Sequence, residues 1–323
     1  AVLEWLDGHD DRPWFIVLCY LRPHPPLIAP EPYNALIDPA DVPMPRRAAS
    51  PEAEAAQHPF TDWLMRTKRL EEIVPGMPGL MADISALELR QLRATHYGLM
   101  AEVDHQIGRI MERLKAGGQY DDTLILFTSD HADELGDHHL FNKSSYFDEA
   151  VHVPLIIRDP DAVVRGNQVK AFTEAIDLMP TILDWLGLEP PETVDGMSLL
   201  PFLRGGDLSG WRREVHWEKD FRDVRDFACE QHFGLTPDQC GFCVIRDEKY
   251  KFVHFSGLPP AFYDLTEDPD QLVNRASDQG MAGVMLDYAQ RMLSWRMRHA
   301  DRTLVNKLAG SQGLVEWRGP RGG

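Results

Sequence analysis

Asp130 and His131 are the residues of this chain whose types and position suit metal binding. With Ser129 they directly follow the apolar residues 123–128 (TLILFT), a pattern that predicts a buried strand. In open α/β sheets, ligands bind beyond the carboxyl ends of the strands, and a carboxylate beside an imidazole offers two ligands to a divalent cation. On its own, the pair favours a simpler interpretation, in which Asp130 caps a turn and His131 is a surface residue. The interpretation therefore depends on what surrounds the pair.

The elements around this pair predict an α/β sheet covered by helices. Residues 14–20 (WFIVLCY) and 154–157 are short apolar runs that indicate two further strands. Ser85-Ala-Leu-Glu88 is a capping box that opens the clearest helix, apolar residues then recur every three or four positions as far as Leu114, and Gly117-Gly118 ends it. A helix, a tight turn and a strand in this order are typical of a sheet with helices on its faces.

The pattern changes near residue 190, where we place a boundary. Before it, residues 177–186 predict an amphipathic helix with Pro180 in its first turn, and another helix is expected near 60–72. After it, three short strands and a terminal helix are expected, at 214–217, 243–246, 251–255 and 281–298. The sequence thus predicts a larger unit at 1–190 and a smaller one at 191–323.

The composition excludes several classes of partner. Asp plus Glu number 51 against 33 Lys plus Arg, and the net charge of −18 repels nucleic acid and anionic lipid. No stretch approaches the ~20 apolar residues of a membrane-spanning helix. A small anionic substrate is compatible with this charge where cationic groups cluster locally. Residues 1–12 contain no basic segment followed by an apolar one, so no signal peptide is predicted, and a cytoplasmic location is favoured although the localisation stays open.

The four cysteines indicate neither a disulfide framework nor a clear zinc site. Four cysteines are too few for a disulfide scaffold in a chain of 323 residues. Cys240-Gly-Phe-Cys243 has the spacing of half a zinc site, and Cys229 and His232 are close in sequence, but no second pair has matching spacing. Ordinary thiols are therefore favoured over zinc ligands.

The residues around Asp130 belong to an ordered series of motifs. Glu134-Leu-Gly-Asp-His138, Lys143 and Val153-Pro-Leu-Ile-Ile157 follow the Ser-Asp-His segment, and Arg22-Pro-His24-Pro-Pro-Leu27 precedes it. The later motifs are Asp177-Leu-Met-Pro-Thr181, Asp195-Gly-Met-Ser-Leu199, Cys243-Val-Ile-Arg-Asp247 and Phe262-Tyr-Asp-Leu265. Together and in this order, the motifs resemble the sulfatase and phosphonate monoester hydrolase branch of the alkaline phosphatase superfamily over almost the whole chain.

The resemblance implies a fold and a set of site residues. The implied fold is α/β, with an alkaline-phosphatase-like central mixed sheet flanked by helices and a smaller C-terminal α+β subdomain. Residues 1–190 would be the C-terminal half of the catalytic domain, and 191–323 the subdomain with a small antiparallel sheet and a terminal helix. Asp130 and His131 would be metal ligands, and His24 and Lys143 catalytic residues of the substrate pocket. A cation, an ammonium and an imidazolium stabilise the charge that ester hydrolysis places on oxygen, and His24 can protonate the leaving alkoxide.

The Asp-His pair at 130–131 is most similar to the phosphonate monoester hydrolase subgroup, whereas many sulfatases carry Asp-Asn there. The subgroup hydrolyses phosphonate and phosphate esters and often sulfates and sulfonates, so a small anionic ester is the expected substrate. The expected cofactor is one divalent metal ion, with Mn²⁺ favoured by the imidazole ligand and with Ca²⁺ or Zn²⁺ as alternatives. The subgroup's tendency to form tetramers predicts a homo-oligomer, with Phe221 to Phe233 as a candidate arm.

The resemblance also implies a nucleophile that this sequence does not contain. In the family, formylglycine is made from the cysteine of a Cys-x-Pro/Ala-x-Arg motif, and none of the four cysteines stands in such a motif. Cys19-Tyr-Leu-Arg22 has its arginine one position too early and lies in an expected strand. We therefore expect the formylglycine and the remaining metal ligands in an N-terminal portion outside this sequence, and we expect this chain alone to be inactive.

Three functions stay open at this point. The first is a formylglycine-dependent ester hydrolase, and the second is a phosphodiesterase or phosphomutase of the same superfamily with a serine or threonine nucleophile. The third is a non-catalytic remnant that binds a metal weakly, or a partner. An in-frame Cys-x-Pro-x-Arg upstream in the gene would favour the first function, and a stop codon the third.

Overall fold

The computed structural model describes residues 1–9, 12–191, 193–223 and 227–299, together with the backbone of two short strands at 307–310 and 313–316. The chain divides into two compact units, Ala1–Pro160 and Asp161–Gly323. The domain boundary expected near 190 stays a prediction. No helix of the described part is long and apolar enough to cross a membrane.

The first unit contains five helices and two strands among its described residues. The helices are α1 (Val2–Gly8), α2 (Pro51–Ala55), α3 (Pro59–Thr67), α4 (Ala86–Ala116) and α5 (Asp148–Val151), and the strands are β1 (Ile125–Thr128) and β2 (Leu155–Arg158). The helix expected near 60–72 corresponds to α3 and a following 3₁₀ turn, Leu70–Glu72. The strands expected at 123–128 and 154–157 are confirmed with slightly shifted bounds.

Helix α4 is the longest element, and the sequence signals at both of its ends are confirmed. The Ser85 hydroxyl accepts the Glu88 backbone N–H at 3.3 Å, and the Glu88 carboxylate accepts the Ser85 N–H at 3.0 Å. This capping box satisfies donors that have no partner inside the helix. Gly117 caps the other end. The apolar face of the helix is buried through residues such as Leu89, Leu99 and Leu114.

The strand expected at 14–20 is the one wrong prediction among these elements. The segment has no strand assignment, because β1 pairs with β2 alone in its sheet and no described strand pairs with residues 14–20. An apolar run forms a strand only when another strand supplies its hydrogen-bond partners. Trp14 and Ile16 nevertheless pack onto the cluster of Leu6, Ile110 and Leu114, as alternate residues of an extended chain would.

The second unit is built on a four-stranded antiparallel sheet. Its strands, in spatial order, are β3 (Val215–Asp220), β4 (Gly241–Arg246), β5 (Tyr250–Phe255) and β6 (Ala261–Asp264), and a separate pair follows with β7 (Lys307–Gly310) and β8 (Gly313–Glu316). The described helices of this unit are α6 (Leu178–Trp185), α7 (Leu200–Arg204), α8 (Ala228–Phe233) and α9 (Ala282–His299). Tyr288 and Met292 of α9 pack on Ile245 and Phe262 of the sheet. The three expected strands, the helix at 177–186 and the terminal helix are thereby confirmed.

Two of the sequence motifs of this unit bind each other. The Asp177 carboxylate accepts the backbone N–H of Met197 at 2.8 Å, and the Thr181 hydroxyl accepts that of Leu199 at 2.8 Å. Asp177 is fully buried and forms a bidentate ion pair with Arg212. A Cβ at Gly196 would overlap the carbonyl group of Ile176, so only glycine fits this close approach.

Candidate metal and catalytic site

The loop 129–142, which follows β1, begins and ends against helix α4. Ile125 of β1 packs in the same cluster as Ile110 of α4. At the other end of the loop, Phe141 packs in the same cluster as Leu89 of α4. The helix that the sequence specified most clearly therefore positions the residues after the strand.

Side chains inside this loop hold its backbone in place. The Asp133 carboxylate accepts the backbone N–H groups of Leu135 at 2.9 Å and of Asn142 at 3.0 Å. The Ser129 hydroxyl donates to the carbonyl of His131 at 2.7 Å. These bonds span both ends of the loop, so Asp130 and His131 stand on a fixed turn.

Asp130, His131 and Lys143 converge at the end of β1. The Nδ1–H of His131 donates to the Ala132 carbonyl at 2.8 Å, which leaves Nε2 as the acceptor of the ring. The Lys143 ammonium donates to this Nε2, and an oxygen of Asp130 lies 3.6 Å from it. The Asp130 side chain is 85% exposed, against 29% for His131. A carboxylate, an imidazole lone pair and an ammonium thus face one point near the surface.

His24 stands on the proline-rich loop that follows residues 14–20. Its Nδ1–H donates to the carbonyl of Pro25 at 2.7 Å, and its backbone N–H donates to that of Leu21 at 3.0 Å. Within the described ranges, no hydrogen bond joins His24 to Asp130, His131 or Lys143. Its place in the same pocket stays a prediction.

The Gly-Asp-His turn has a structural function. Gly136 has a φ of 94°, which glycine adopts without strain. The backbone N–H of His138 donates to the Arg46 carbonyl at 2.8 Å, and the Arg46 N–H donates to the Asp137 carboxylate at 2.5 Å. The turn therefore holds the irregular segment around residue 46 in place.

His138 lies buried between two carboxylates, a group we call the histidine latch (Glu54, His138 and Glu149). His138 Nδ1 lies 3.0 Å from Glu54, and Nε2 lies 3.5 Å from Glu149. Its ring stacks on Phe147 with a centroid separation of 3.5 Å. Burial alone would lower the pKa of His138, but the interactions with Glu149 and Glu54 outweigh it and raise the pKa to about 9. The imidazole is therefore charged at neutral pH and ties α2 to the start of α5.

The two partners of His138 leave no recognisable pattern in the sequence. Glu54 lies in the proline-dotted stretch 33–80, which contains no readable motif, and it is 84 residues away from His138. In such a segment, the sequence does not distinguish a buried carboxylate from a solvated one. The latch becomes visible only in the structure, which places Glu54 and Glu149 on the two ring nitrogens of His138.

The described residues contain no larger cluster of potential metal ligands around Asp130 and His131. In the described part of the chain, no group of three or more His, Cys, Asp or Glu side chains is arranged to hold a metal ion. Cys240 and Cys243 are buried, and burial raises the pKa of the Cys243 thiol to about 12, so a zinc-binding thiolate is disfavoured. Cys19 is exposed.

The fold and these motifs define a class of protein, and two family models identify it. The sulfatase model matches residues 1–188, and the model described as N-sulphoglucosamine sulphohydrolase, C-terminal, matches residues 136–298. The chain therefore belongs to the sulfatase family of hydrolases, within the alkaline phosphatase superfamily, as its sequence motifs predicted.

Individual curated relatives are similar to this chain over most of its length. The chain is 48% identical to the multifunctional alkaline phosphatase superfamily protein PehA of Trinickia caryophylli over 97% of its own length and 61% of the relative's. It is 28% identical to an arylsulfatase of Clostridium perfringens over 90% of its length and 55% of the relative's. The chain thus spans between about one half and three fifths of the length of these relatives.

Solved structures give the same result for the fold. The phosphonate monoester hydrolase of Agrobacterium radiobacter matches with a TM-score of 0.93 at 46% identity, over 98% of this chain and 63% of that one. The corresponding enzyme of Silicibacter pomeroyi matches with a TM-score of 0.88 at 41% identity, over 95% of this chain and 60% of that one. The predicted α/β, alkaline-phosphatase-like fold is confirmed.

Proposed function

We propose that this chain carries part of the active site of a metal-dependent hydrolase that acts on small anionic esters of phosphonate, phosphate or sulfate. The convergence of Asp130, His131 and Lys143 at the end of β1 supports this proposal most directly. The relatives named as phosphonate monoester hydrolases and as an arylsulfatase support the reaction class.

The donor set at Asp130 and His131 fits a divalent cation as two of its ligands. The His131 Nδ1–H is held by a backbone carbonyl, which is the arrangement that orients a ligating imidazole and directs its Nε2 lone pair to the site. A bound cation would replace Lys143 as the partner of this Nε2. The Asp130 oxygen lies close enough to share one ion with this Nε2. One carboxylate and one imidazole suit Mn²⁺, with Zn²⁺ and Ca²⁺ as alternatives. When bound, such a cation neutralises charge on the ester oxygens.

Lys143 and His24 supply the cationic and acidic groups in this proposal. The ammonium of Lys143, beside His131, provides the local positive charge that an anionic ester needs on a chain of net charge −18. The Nδ1–H of His24 is bound to Pro25, so its Nε2 is the atom available to hold a proton for the leaving oxygen.

The nucleophile and the other metal ligands are proposed to come from polypeptide that corresponds to the rest of the relatives' length. None of the four cysteines has the Cys-x-Pro/Ala-x-Arg context. Two ligands alone bind a divalent ion weakly. Where catalytic groups act as a unit, removing one of them abolishes most of the rate acceleration. The chain alone is therefore proposed to be inactive, and the formylglycine-dependent hydrolase to be the complete protein.

The test is to co-produce the chain with the part of Trinickia caryophylli PehA that lies outside the matched region, and to purify the two together. With added Mn²⁺, the pair is expected to hydrolyse a phosphonate monoester, a phosphate diester or an aryl sulfate, while the isolated chain is silent with each. In the pair, Asp130→Ala is expected to remove turnover, and the exposed control Asp83→Ala to keep it. A stable pair that hydrolyses none of the three esters would overturn the proposed function.

A further inference from the structure

A cavity of about 550 Å³ lies within the second unit. It is formed by residues 171–172, by α7 and the loop that follows it, and by the turn between β4 and β5. Pockets that bind small molecules in proteins have volumes of about 300–1,000 Å³. Asp247, the last residue of a motif to which the proposed hydrolysis assigns no function, also lines the cavity.

Three half-buried aromatic rings, those of Phe172, Phe202 and Trp211, form one wall of the cavity. Gly205 ends α7 with a φ of 71°, and the chain turns back so that Trp211 meets Phe202 edge to face, with ring centroids 4.6 Å apart. The Trp211 indole N–H donates to the Phe172 carbonyl at 2.7 Å. Because these contacts join the three residues, the wall is preformed, and a flat ring can pack on it without ordering it first.

Hydrogen bonds inside the fold also fix the polar sides of the cavity. Arg212 forms its bidentate ion pair with the buried Asp177, which holds the backbone next to Trp211. In the turn between β4 and β5, the Asp247 carboxylate accepts the backbone N–H of Lys249 at 2.9 Å. Both carboxylates are therefore occupied by partners in the protein, and neither repels an anion in the cavity as a free charge would.

Two cations of the lining have no carboxylate partner among the residues that the structure describes. Arg213 is exposed, and its guanidinium makes no hydrogen bond or ion pair there. The Lys249 ammonium lies 5.0 Å from the centroid of the Tyr250 ring. Glu248 also lines the cavity and is exposed, so two free cations stand against one free carboxylate. The cavity thus keeps local positive charge on a chain of net charge −18.

The aromatic wall is itself covered by cations. The guanidinium of Arg212 lies 5.2 Å from the centroid of the Trp211 ring, and that of Arg246 lies 5.2 Å from the centroid of Phe172. The electron-rich faces that could attract a cationic ligand are therefore already in contact with positive charge. This arrangement disfavours a quaternary ammonium or another cation as the occupant and favours an anion.

We propose that this cavity binds a small aromatic carboxylate. The flat ring packs on Phe202 and Trp211, and the carboxylate binds the guanidinium of Arg213, with the Lys249 ammonium as a second cation. A guanidinium presents paired N–H donors whose spacing matches the two oxygens of a carboxylate. The inference goes beyond the proposed hydrolysis and does not depend on it, since every lining residue belongs to the second unit.

Isothermal titration calorimetry of the full chain with 2-naphthoate tests this proposal. Two further probes separate the parts of the ligand: the uncharged 2-naphthol carries the ring without the anion, and cyclohexanecarboxylate carries the anion without the aromatic ring. The expected result is one binding site for 2-naphthoate and binding about tenfold weaker or less for each of the other probes, because each loses one of the two kinds of contact. The indole N–H signal of Trp211 in NMR spectra is expected to shift with 2-naphthoate.

Three glutamine variants decide whether the named charges are responsible. Arg213→Gln is expected to weaken the binding of 2-naphthoate about tenfold, because it removes a charge-assisted hydrogen bond. Glu248→Gln is expected to tighten it about twofold, because it removes the opposing charge. Arg298→Gln, at an exposed position of α9 that does not line the cavity, loses the same charge and is expected to leave the affinity unchanged. Circular dichroism of each variant confirms that the chain is folded.

Four outcomes would overturn the proposal. The first is the absence of 2-naphthoate binding at millimolar concentration, and the second is equal binding of 2-naphthol, which would mean that the charge is not recognised. The third is an affinity that Arg213→Gln does not change, or that Arg298→Gln reduces equally, which would indicate a general effect of net charge. The fourth is binding that leaves the Trp211 indole signal in place, since the ligand would then lie elsewhere.

Discussion

Replacement of His138 by glutamine is expected to remove the contribution of this residue to the pH dependence of the first unit's stability between about pH 6.5 and 9. The folded-state pKa of His138 is raised from 6.5 to about 9, which corresponds to about 3 kcal/mol of stabilisation. Because the folded pKa is the higher one, this stabilisation is fully present below pH 6.5. It is lost as the pH rises through 9, where the folded imidazole also becomes neutral.

The loss at lower pH should be larger than this linkage alone. His138→Gln removes the cation between Glu54 and Glu149, and a buried carboxylate left without its partner costs about 3–5 kcal/mol. Near pH 6, the variant should therefore unfold at a much lower urea concentration than the wild type. Above pH 9 the difference should shrink by about 3 kcal/mol, because the wild type has then lost the charge as well.

Urea unfolding followed by tryptophan fluorescence at a series of pH values measures this difference. The subtraction is needed because burial also raises the pKa of Asp137 and lowers the pKa values of His96 and His139, so the wild-type profile alone mixes several groups. His254→Gln, at an exposed position of β5, is the matched control and should follow the wild type. A difference between wild type and His138→Gln that is constant from pH 6 to pH 10 would refute the latch.

Three further predictions concern separate parts of the chain. Arg212→Leu leaves the buried Asp177 without its ion-pair partner and should lower the unfolding free energy by about 3 kcal/mol or more, as measured by chemical denaturation. Gly196→Ala should lower the melting temperature because its Cβ overlaps the Ile176 carbonyl, at a cost of about 3 kcal/mol, whereas Gly283→Ala, where a Cβ meets open space inside α9, should be neutral or stabilising by about 0.5–1 kcal/mol. Asp130→Ala should reduce turnover of the completed hydrolase about 100-fold or more while leaving the melting temperature of the chain unchanged, since the side chain is 85% exposed.

Local signals made the four longest described helices, α3, α4, α6 and α9, and most strands predictable from the sequence. The described helices of four to seven residues, α1, α2, α5, α7 and α8, were not predicted. The capping box at Ser85 and the glycines after Ala116 fixed both ends of α4, because those residues act within one turn of the helix. The strand expected at 14–20 failed for a physical reason: a strand is defined by its partner, and residue types cannot reveal whether one is present. Strand β6 was likewise not predicted as a strand, and its residues were identified only as the motif Phe262-Tyr-Asp-Leu265.

The candidate site was predictable to the extent that its residues are close in sequence. Asp130, His131 and Lys143 lie within one loop after a strong strand, and the structure brings them together. The Glu54 partner of His138 was invisible, because a pairing across 84 residues leaves no local pattern. His24 comes from a separate segment, and its membership of the site rests on the motif alone.

Titration of the chain with Mn²⁺ measures whether Asp130 and His131 bind a divalent cation. NMR spectra of the full chain, recorded as Mn²⁺ is added, report the site by paramagnetic broadening of the individual imidazole signals. We expect that the His131 signals broaden first, that Asp130→Ala abolishes this preference, and that Asp83→Ala preserves it. His131 signals that broaden no earlier than those of the exposed His254, or that broaden equally in Asp130→Ala, would contradict this expectation.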